Sequence, residues 1–350
     1  MAASSSPIHH LPPEITQYRL TNAHGYVKTS NHLGEGGFGT VLLYKNSNAP
    51  FDEAAGKHLK ISPNQATTEF FDELAPLCAI TRAGGCEYIA PFLGYIDSPE
   101  LVILTKYFKN KSLWDEMKDV VKGPFPPERS LKYFYQIAKG LEFLHHDLPE
   151  RKRILHRDLK CQNILLSDDT ESIKLADFGL AFNLAVDSHS VTLSDEAPSE
   201  ENSMCGTFAF MAPEVLIAKK YGRRSDIWSL ACTLVQMLTM KPPYFRSAKE
   251  FIEKARGLKS NQLKYKGNLF LPQQLQNTEI SVLLDCMFIK NPDQRPMVEK
   301  VLEVLTIVQQ SPLKVGIDNA KVNELKTKIG KDKGISVAMF EKIFNWIACY

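Results

Sequence analysis

The chain has 350 residues, enough for about two domains of ordinary size or for one unit with two lobes. Hydrophobic residues make up 44% and charged residues 23% of the sequence, a composition that excludes a wholly disordered or collagen-like chain. The 42 Lys and Arg residues nearly balance the 40 Asp and Glu residues, so nucleic acid is not the expected partner.

The cysteines and the apolar segments indicate a compartment. Seven cysteines are scattered without paired metal-ligand spacing, which predicts neither a disulfide framework nor a zinc site and favours a reducing environment. No apolar run approaches the ~20 residues of a membrane helix, and the N-terminus does not resemble a signal peptide. We therefore expect a cytoplasmic protein without a membrane partner.

The first part of the chain has the pattern of a small sheet. Residues 1 to 25 mix Ser, Pro and His and are predicted to form a tail or a strand-like lead-in. From about 26 to 107, β-rich runs alternate with Gly, Asn, Asp and Pro, which predicts an antiparallel sheet. One helix is predicted over residues 66 to 80, because four apolar residues repeat there at helical spacing. These residues are Phe70, Leu74, Leu77 and Cys78.

The second part of the chain has helical periodicity. After about residue 110 a long apolar face runs through residues 131 to 144, and residues 225 to 240 and 279 to 289 repeat the pattern. A sheet followed by helices predicts an α+β fold with two lobes. Residues 183 to 203 contain five acidic residues and no Lys or Arg, which predicts a mobile, solvated loop.

The last forty residues, 311 to 350, have no assigned role. Four apolar residues repeat at helical spacing and predict a helical extension. They are Val337, Phe340, Phe344 and Ile347. Packing on the rest of the chain, docking of a partner and the start of another domain all remain open.

A glycine-rich motif comes first among the segments that carry chemistry. Residues 34 to 41 read G-E-G-G-F-G-T-V and fit the pattern G-x-G-x-x-G-x-V. Glycines without side chains at the tip of a hairpin let backbone amides approach phosphate oxygens. An ordinary glycine-rich hairpin is the alternative if this motif is taken alone.

Three further motifs follow in a fixed order. Residues 156 to 163 read H-R-D-L-K-C-Q-N, residues 177 to 179 read D-F-G, and residues 212 to 214 read A-P-E. With these motifs the chain resembles a eukaryotic-type protein kinase over about residues 26 to 310. The resemblance implies a bilobal fold, with an N-lobe to residue 107 and a C-lobe from residue 108. It also implies ATP as a substrate and Mg²⁺ as the metal.

The resemblance assigns catalytic roles to four residues. Asp158 would accept the proton of the substrate hydroxyl, and Lys160 would contact the transferred phosphate. Asn163 and Asp177 would hold Mg²⁺. Loss of one such residue usually marks a scaffold that acts by protein binding, so their presence favours an enzyme over that alternative.

The same resemblance implies a lysine and carboxylate pair. Residues 54 to 57 read A-A-G-K and resemble V-A-I-K, so Lys57 would bind the α- and β-phosphates, with Lys60 as the alternative. Glu73 would hold this lysine in place, with Glu69 as the alternative. Pro76 departs from the family pattern, and we expect it to bend or misplace the helix because a proline there removes a hydrogen bond.

The adenine site follows from the same alignment. Thr105 stands at the gatekeeper position, and the backbone of residues 106 to 108 would bind the adenine ring. Apolar residues, including Leu165, would sandwich the base. The full set of implied ATP-binding residues is Leu33, Gly34, Glu35, Gly36, Gly37, Phe38, Gly39, Val41, Lys57, Glu73, Thr105, Lys106, Tyr107, Phe108, Leu165 and Asp177.

Residues 206 to 216, 225 to 233 and 241 to 244 are most similar to the mitogen-activated protein kinase kinase kinase group. Two further features are similar to those of serine/threonine kinases. One is Lys160 after Asp158, and the other is Thr207 shortly before the A-P-E motif. The family likeness also implies that Glu214 pairs with Arg295.

Regulation is implied by a cation next to the catalytic base. Arg157 would be a buried cation that a phosphate on the activation loop, residues 180 to 207, neutralises. Asp226 would anchor the backbone of the catalytic loop, residues 156 to 163. An upstream kinase or autophosphorylation would supply the phosphate, and the partners would be protein substrates.

Overall fold

The computed structural model describes most of the chain up to residue 310. The described residues are 11–21, 24–36, 39–46, 52–59, 66–119, 122–146, 148, 152–185, 190–192, 209–218, 220–241, 279–289 and 291–310. The C-terminal extension predicted over 311 to 350 lies outside them, as do Gly37, Phe38, Lys60 and Thr207.

The first lobe is built on a five-stranded antiparallel sheet with the order β1-β2-β3-β5-β4. Its strands are β1 (Val27–Gly36), β2 (Gly39–Lys45), β3 (Glu53–Leu59), β4 (Phe92–Ile96) and β5 (Val102–Lys106). The register places Lys57 of the central strand β3 between Val41 of β2 and Ile103 of β5. The lysine is therefore held by two neighbouring strands.

One long helix, α2 (Ala66–Arg82), packs on this sheet and extends two residues beyond its predicted end. The predicted apolar face is confirmed, because all four of its residues are buried. Pro76 is also buried, and the helix continues for more than a turn after it. Burial of the apolar face against the sheet offsets the hydrogen bond that the proline cannot make.

The second lobe is helical, which confirms the predicted α+β class. Its described helices are α3 (Leu113–Lys118), α4 (Pro127–His145), α5 (Pro213–Ala218), α6 (Arg223–Thr239), α7 (Glu279–Met287) and α8 (Val298–Gln310). The buried helix α4 packs against α6 and α8, and its apolar residues belong to the main core. None of the helices in these ranges is long and apolar enough to cross a membrane.

Three two-stranded antiparallel sheets position the loops of the second lobe. They are β6 (Lys152–Leu155) with β9 (Phe182–Ala185), β7 (Ile164–Leu166) with β8 (Ile173–Leu175), and β10 (Ser190–Thr192) with β11 (Lys220–Gly222). The prediction of a mobile loop over 183 to 203 is therefore wrong for residues 183–185 and 190–192, and its other residues, 186–189 and 193–203, lie outside the described part of the chain. Their backbone groups find partners in distant strands, which local composition does not reveal.

The described part of the N-terminal lead-in, residues 11–21 and 24–25, includes segments that pack on the first lobe. It contains the one-turn helix α1 (Pro13–Thr16), and Arg19 forms a parallel bridge with Tyr95 of β4. The strand-like alternative thus describes these residues better than a tail.

Candidate active site

A cleft of about 380 Å³ lies between the sheet and the helical lobe. Most residues of the implied ATP set line it. These are Leu33, Gly34, Glu35, Gly39, Val41, Lys57, Glu73, Thr105, Lys106, Tyr107, Phe108, Leu165 and Asp177. Gly36 lies next to the cleft at the end of β1, where it pairs with Gly39.

The glycine-rich hairpin approaches β3 very closely. Gly39 has φ of 153°, and a Cβ atom there would lie 2.1 Å from the carbonyl oxygen of His58. Only glycine fits this position without moving the backbone. This contact with His58 holds the hairpin against the part of β3 that carries Lys57.

Lys57 is the centre of a three-residue charge cluster. Its Nζ lies 2.7 Å from Oε1 of Glu73 and 3.0 Å from Oδ1 of Asp177. Burial alone would lower the pKa of Lys57, but the two carboxylates outweigh it and raise the pKa above its ordinary value. The expectation that Pro76 misplaces the helix is wrong, because α2 brings Glu73 into direct contact with the lysine. The side chain of Glu69 lies outside the described part of the chain.

Asp177 and Asn163 come together through the β7–β8 hairpin. The amide of Ala176 donates to the carbonyl oxygen of Asn163 at 3.0 Å, which places Asp177 next to the catalytic loop. Burial would raise the pKa of Asp177, but the charge and hydrogen bond of Lys57 hold it below its ordinary value. The side-chain nitrogen of Asn163 is already used as a donor, so its oxygen is the atom left for a ligand. A carboxylate and an amide oxygen fit Mg²⁺, which prefers oxygen ligands.

Asp158 has one occupied and one unoccupied oxygen. Oδ2 accepts hydrogen bonds from Nζ of Lys160 and from Nδ2 of Asn163, both at 2.7 Å. Oδ1 is buried and has no hydrogen-bond partner within the described residues. A buried acceptor without a donor is costly in a folded protein and indicates a place for an incoming one. This oxygen could therefore accept a hydrogen bond from an incoming group.

The catalytic loop is held from below by Asp226 of α6. Its carboxylate accepts the backbone amides of His156 and Arg157, each at 2.9 Å. Nε2 of His145, the last residue of α4, lies 2.9 Å from the same carboxylate. Burial would raise the pKa of Asp226, but His145 and the backbone donors lower it below its ordinary value. The sequence reasoning missed His145, whose only signal is its place at the end of the apolar helix.

Glu214 and Arg295 form a bidentate pair at the base of the second lobe. The two Nη atoms of Arg295 lie 2.8 and 3.0 Å from the two carboxylate oxygens. The arginine side chain is fully buried, and its guanidinium stacks on Trp228 at 5.1 Å. The planar fork of arginine fits this geometry, and lysine could not replace it.

Arg157 packs on aromatic rings. Its guanidinium lies 4.3 Å from the ring of Tyr221 and 5.9 Å from that of Phe182. Its Nε is buried and has no hydrogen-bond partner within the described residues. The residue itself is half-buried, so the expectation of a buried cation holds for this atom and not for the whole side chain.

Residues 106 to 108, which we call the hinge, offer fewer free amides for adenine than the sequence suggested. The amide of Lys106 donates to Pro91 at 2.9 Å, and that of Tyr107 donates to Glu53 at 3.3 Å. The amide of Phe108 makes no hydrogen bond within the described ranges. Of the three hinge amides named from the sequence, only that of Phe108 is left to donate to a ligand.

The cleft also contains residues that the sequence reasoning did not select. They are Ala55, Leu77, Ala90, Ile103, Lys111, Ser112, Asp115, Gln162, Ala176 and Phe178. Most of the apolar ones resemble ordinary core residues in sequence, so no local signal separates them from the rest of the core.

Comparisons with known proteins agree with this geometry. A sequence profile of the protein kinase domain matches residues 27–305. The chain is 29% identical over 293 residues to serine/threonine-protein kinase flr-4 of Caenorhabditis elegans, which covers 77% of this chain and 49% of that protein. It is 34% identical over 218 residues to mitogen-activated protein kinase kinase kinase 3 of Homo sapiens, with 61% and 32% covered.

A plant protein is similarly related. Cysteine-rich receptor-like protein kinase 10 of Arabidopsis thaliana is 30% identical over 291 residues, which covers 79% of this chain and 40% of that protein. The chain therefore spans about half the length, or less, of these relatives.

Proposed function

Because this chain belongs to the protein kinase family over residues 27–305, we propose that it transfers the γ-phosphate of ATP to serine and threonine hydroxyls of proteins. The single observation that carries the proposal is the unpartnered Oδ1 of Asp158. Through its other oxygen this residue is bonded to Asn163, which lines the cleft that contains the ion pair of Lys57 and Glu73. A scaffold that acts only by binding has no need of either feature.

The chemistry needs one proton acceptor and several fixed cations. The substrate hydroxyl oxygen forms a bond to the γ-phosphorus while the bond from that phosphorus to the β–γ bridging oxygen breaks. The hydroxyl proton goes to Oδ1 of Asp158, and ADP leaves with the bridging oxygen. Lys160, 2.7 Å from Oδ2, stabilises the negative charge that spreads over the transferred phosphoryl group.

The nucleotide is bound from three sides. The amide of Phe108 donates to adenine, Lys57 contacts the α- and β-phosphates, and the glycine-rich hairpin covers them. Thr105 is the gatekeeper beside the base, and Leu165 packs below it. Preorganised donors of this kind act without reorganisation during the reaction, which is the main source of catalysis in phosphoryl transfer.

Mg²⁺ is proposed as the metal, held by the carboxylate of Asp177 and the side-chain oxygen of Asn163. When bound, it would neutralise charge on the phosphates. The low pKa of Asp177 keeps its carboxylate charged and ready to bind a cation.

Serine/threonine specificity rests on Lys160 and Thr207 and on the similarity to serine/threonine kinases, among them serine/threonine-protein kinase flr-4. The similarity to mitogen-activated protein kinase kinase kinase 3 favours that group and a signalling role upstream of other kinases. The described cysteines are free, which fits the reducing conditions of the cytoplasm.

Activation-loop phosphorylation is the proposed regulation. Arg157 has an unpaired Nε, and its guanidinium packs on Tyr221 of β11, the strand that pairs with β10 of the loop. A phosphate brings about −1.5 to −2 charge and three acceptor oxygens to such a cation. Phosphatase treatment should therefore lower activity, and Arg157→Ala should make the residual activity insensitive to phosphatase.

A peptide array with radiolabelled ATP and Mg²⁺ tests the proposed function. We expect phosphate on serine and threonine peptides and none on tyrosine peptides. Lys57→Met should remove the activity, and Lys60→Met is the matched control that should retain it. Incorporation by Lys57→Met equal to that of the wild-type protein would refute the assignment, and tyrosine labelling alone would refute the specificity.

A further inference from the structure

We propose that residues 12 to 20 are a positioning element that holds helix α2 in place, so that Glu73 stays against Lys57. The inference rests on the proposed kinase function in one respect, since it predicts a loss of phosphoryl transfer. Its structural part concerns the order of α2 and can be measured without any activity. We call residues 12 to 20 the N-terminal brace.

The brace pairs with the edge of the sheet through a single parallel bridge between Arg19 and Tyr95. The amide of Leu20 donates to the carbonyl oxygen of Tyr95 at 2.7 Å, and the amide of Tyr95 donates to the carbonyl oxygen of Tyr18 at 3.0 Å. Gly94 of β4 has φ of 139°, and a Cβ atom there would lie 2.6 Å from the carbonyl oxygen of Tyr18. The glycine therefore allows the brace to approach β4 closely. The other side of β4 is paired with β5, so the brace occupies the free edge of the sheet.

A salt bridge fixes the brace along the strand. Nη2 of Arg19 lies 2.8 Å from Oδ1 of Asp97, and Nε of the same arginine donates to that oxygen at 2.9 Å. The side chain of Asp97 is only 9% exposed. A pair with one buried partner is screened less than a pair in open solvent, so it contributes to the position of the brace.

The other half of the brace contacts α2 directly. Ile15 is 2% exposed and belongs to the core cluster that includes Leu74 and Cys78 of α2. Nη1 of Arg82, the last residue of α2, donates to the carbonyl oxygen of Glu14 at 3.1 Å. Pro12 and Pro13 precede this contact and preset the backbone for α1, which lowers the entropy lost on docking.

Tyr95 links the two halves. Its backbone pairs with the brace, its side chain is fully buried, and its ring packs edge to face on Phe70 of α2 at 5.5 Å. Phe70 lies one helical turn before Glu73. The strand pairing of the brace is therefore connected to the helix turn that carries the glutamate.

Pro76 gives a reason why α2 needs this support. Proline has no N–H to donate to residue 72, so the hydrogen bonding of the helix is interrupted just after Glu73. The brace reaches α2 on both sides of that point: directly at Arg82 after it, and through Tyr95 of β4 at Phe70 before it. An external support on both sides keeps the two parts of the helix in line.

The first experiment compares Ile15→Asp with Gln17→Asp in the full chain. Gln17 is an exposed residue of the brace and receives the same new charge. We expect Ile15→Asp to accelerate amide hydrogen exchange in residues 70 to 82 while exchange in α4 stays unchanged. It should also lower kcat/KM by on the order of tenfold to a hundredfold, because a small misplacement of a catalytic group is that costly. Gln17→Asp should change neither.

The second experiment is a charge exchange. Arg19→Asp and Asp97→Arg should each accelerate exchange in α2 and reduce activity, and the double variant should restore both. Restoration separates positioning from a general loss of stability. If Ile15→Asp does not yield folded protein, this exchange decides the question.

The outcomes are distinguishable. The inference would be overturned if α2 exchanged at the wild-type rate in Ile15→Asp, or in both Arg19→Asp and Asp97→Arg. Faster exchange in α2 with unchanged activity would also overturn it. A wild-type protein without phosphoryl transfer would refute the proposed function instead, while the exchange measurements would still decide whether the brace holds α2.

Discussion

Replacement of Asp158 by asparagine is the sharpest test of the active-site geometry. Oδ2 accepts two hydrogen bonds at 2.7 Å, from Lys160 and Asn163, whereas Oδ1 has no partner among the described residues. In Asp158→Asn the carbonyl oxygen must occupy the Oδ2 position to keep both bonds. The amide nitrogen then occupies the Oδ1 position and offers hydrogens where the proposed reaction needs an acceptor.

The size of the effect follows from the loss of one proton acceptor. General base catalysis contributes about 10² to 10⁴ in rate, which is about 2.7 to 5.4 kcal/mol at 1.36 kcal/mol per factor of ten. The side chain of Asp158 is 5% exposed, so water reaches it poorly and does not replace the lost base well. We therefore expect kcat to fall by about 10³, near the middle of that range.

Initial rates with one peptide substrate and varied ATP measure this effect. The KM for ATP should stay within about twofold, because Asp158 makes no contact with the nucleotide in the proposed reaction. Asp168→Asn is the matched control, since Asp168 is exposed and lies outside the catalytic loop. A kcat for Asp158→Asn within about fivefold of wild type, with unchanged KM, would show that Asp158 is not the base.

Three further predictions concern ionisable side chains of the second lobe. Asp177→Asn should abolish transfer and Mg²⁺-dependent nucleotide binding while the unfolding midpoint in urea stays near wild type, and retained turnover would contradict the metal role. Arg295→Met leaves Glu214, whose side chain is 10% exposed, without its cation, so the free energy of unfolding should fall by about 3 to 5 kcal/mol in urea denaturation. A loss below about 1 kcal/mol would contradict this. Burial outweighs the nearby carboxylates and lowers the pKa of His156 in the folded protein. As the pH falls below about 6.5, this imidazole is therefore protonated in the unfolded chain before it is protonated in the folded one. Wild-type stability should then decrease with falling pH by up to about 1.4 kcal/mol per unit, a dependence that His156→Phe should reduce and that exposed His24→Gln should retain.

Local patterns were sufficient for the class of fold and for the main motifs. The apolar faces of α2 and α4 follow the 3.6-residue period of a helix, and the two regions are helical in the structure. The glycine-rich hairpin and the catalytic loop are continuous in sequence, so their residue types and spacing are visible without tertiary information. Neighbouring residues alone determine such features, because backbone geometry and side-chain volume act over a few positions.

Choices between alternatives needed the tertiary structure. The partner of Lys57 is 16 residues away in Glu73 and 120 away in Asp177, and only packing of α2 on the sheet brings the three together. His145 meets Asp226 across 81 residues, and nothing near either residue in sequence predicts the contact.

The lead-in and the loop show the same limit. Residues 18 to 20 and 190 to 192 have no strong strand pattern, yet they pair with β4 and β11 because those strands offer unpaired backbone groups at their edges. Composition describes what a segment does in isolation, and a free sheet edge is supplied by residues far away in the chain. Long-range pairing of this kind is decided by the fold as a whole, because the free energy of a backbone hydrogen bond depends on which groups the packed core brings into reach.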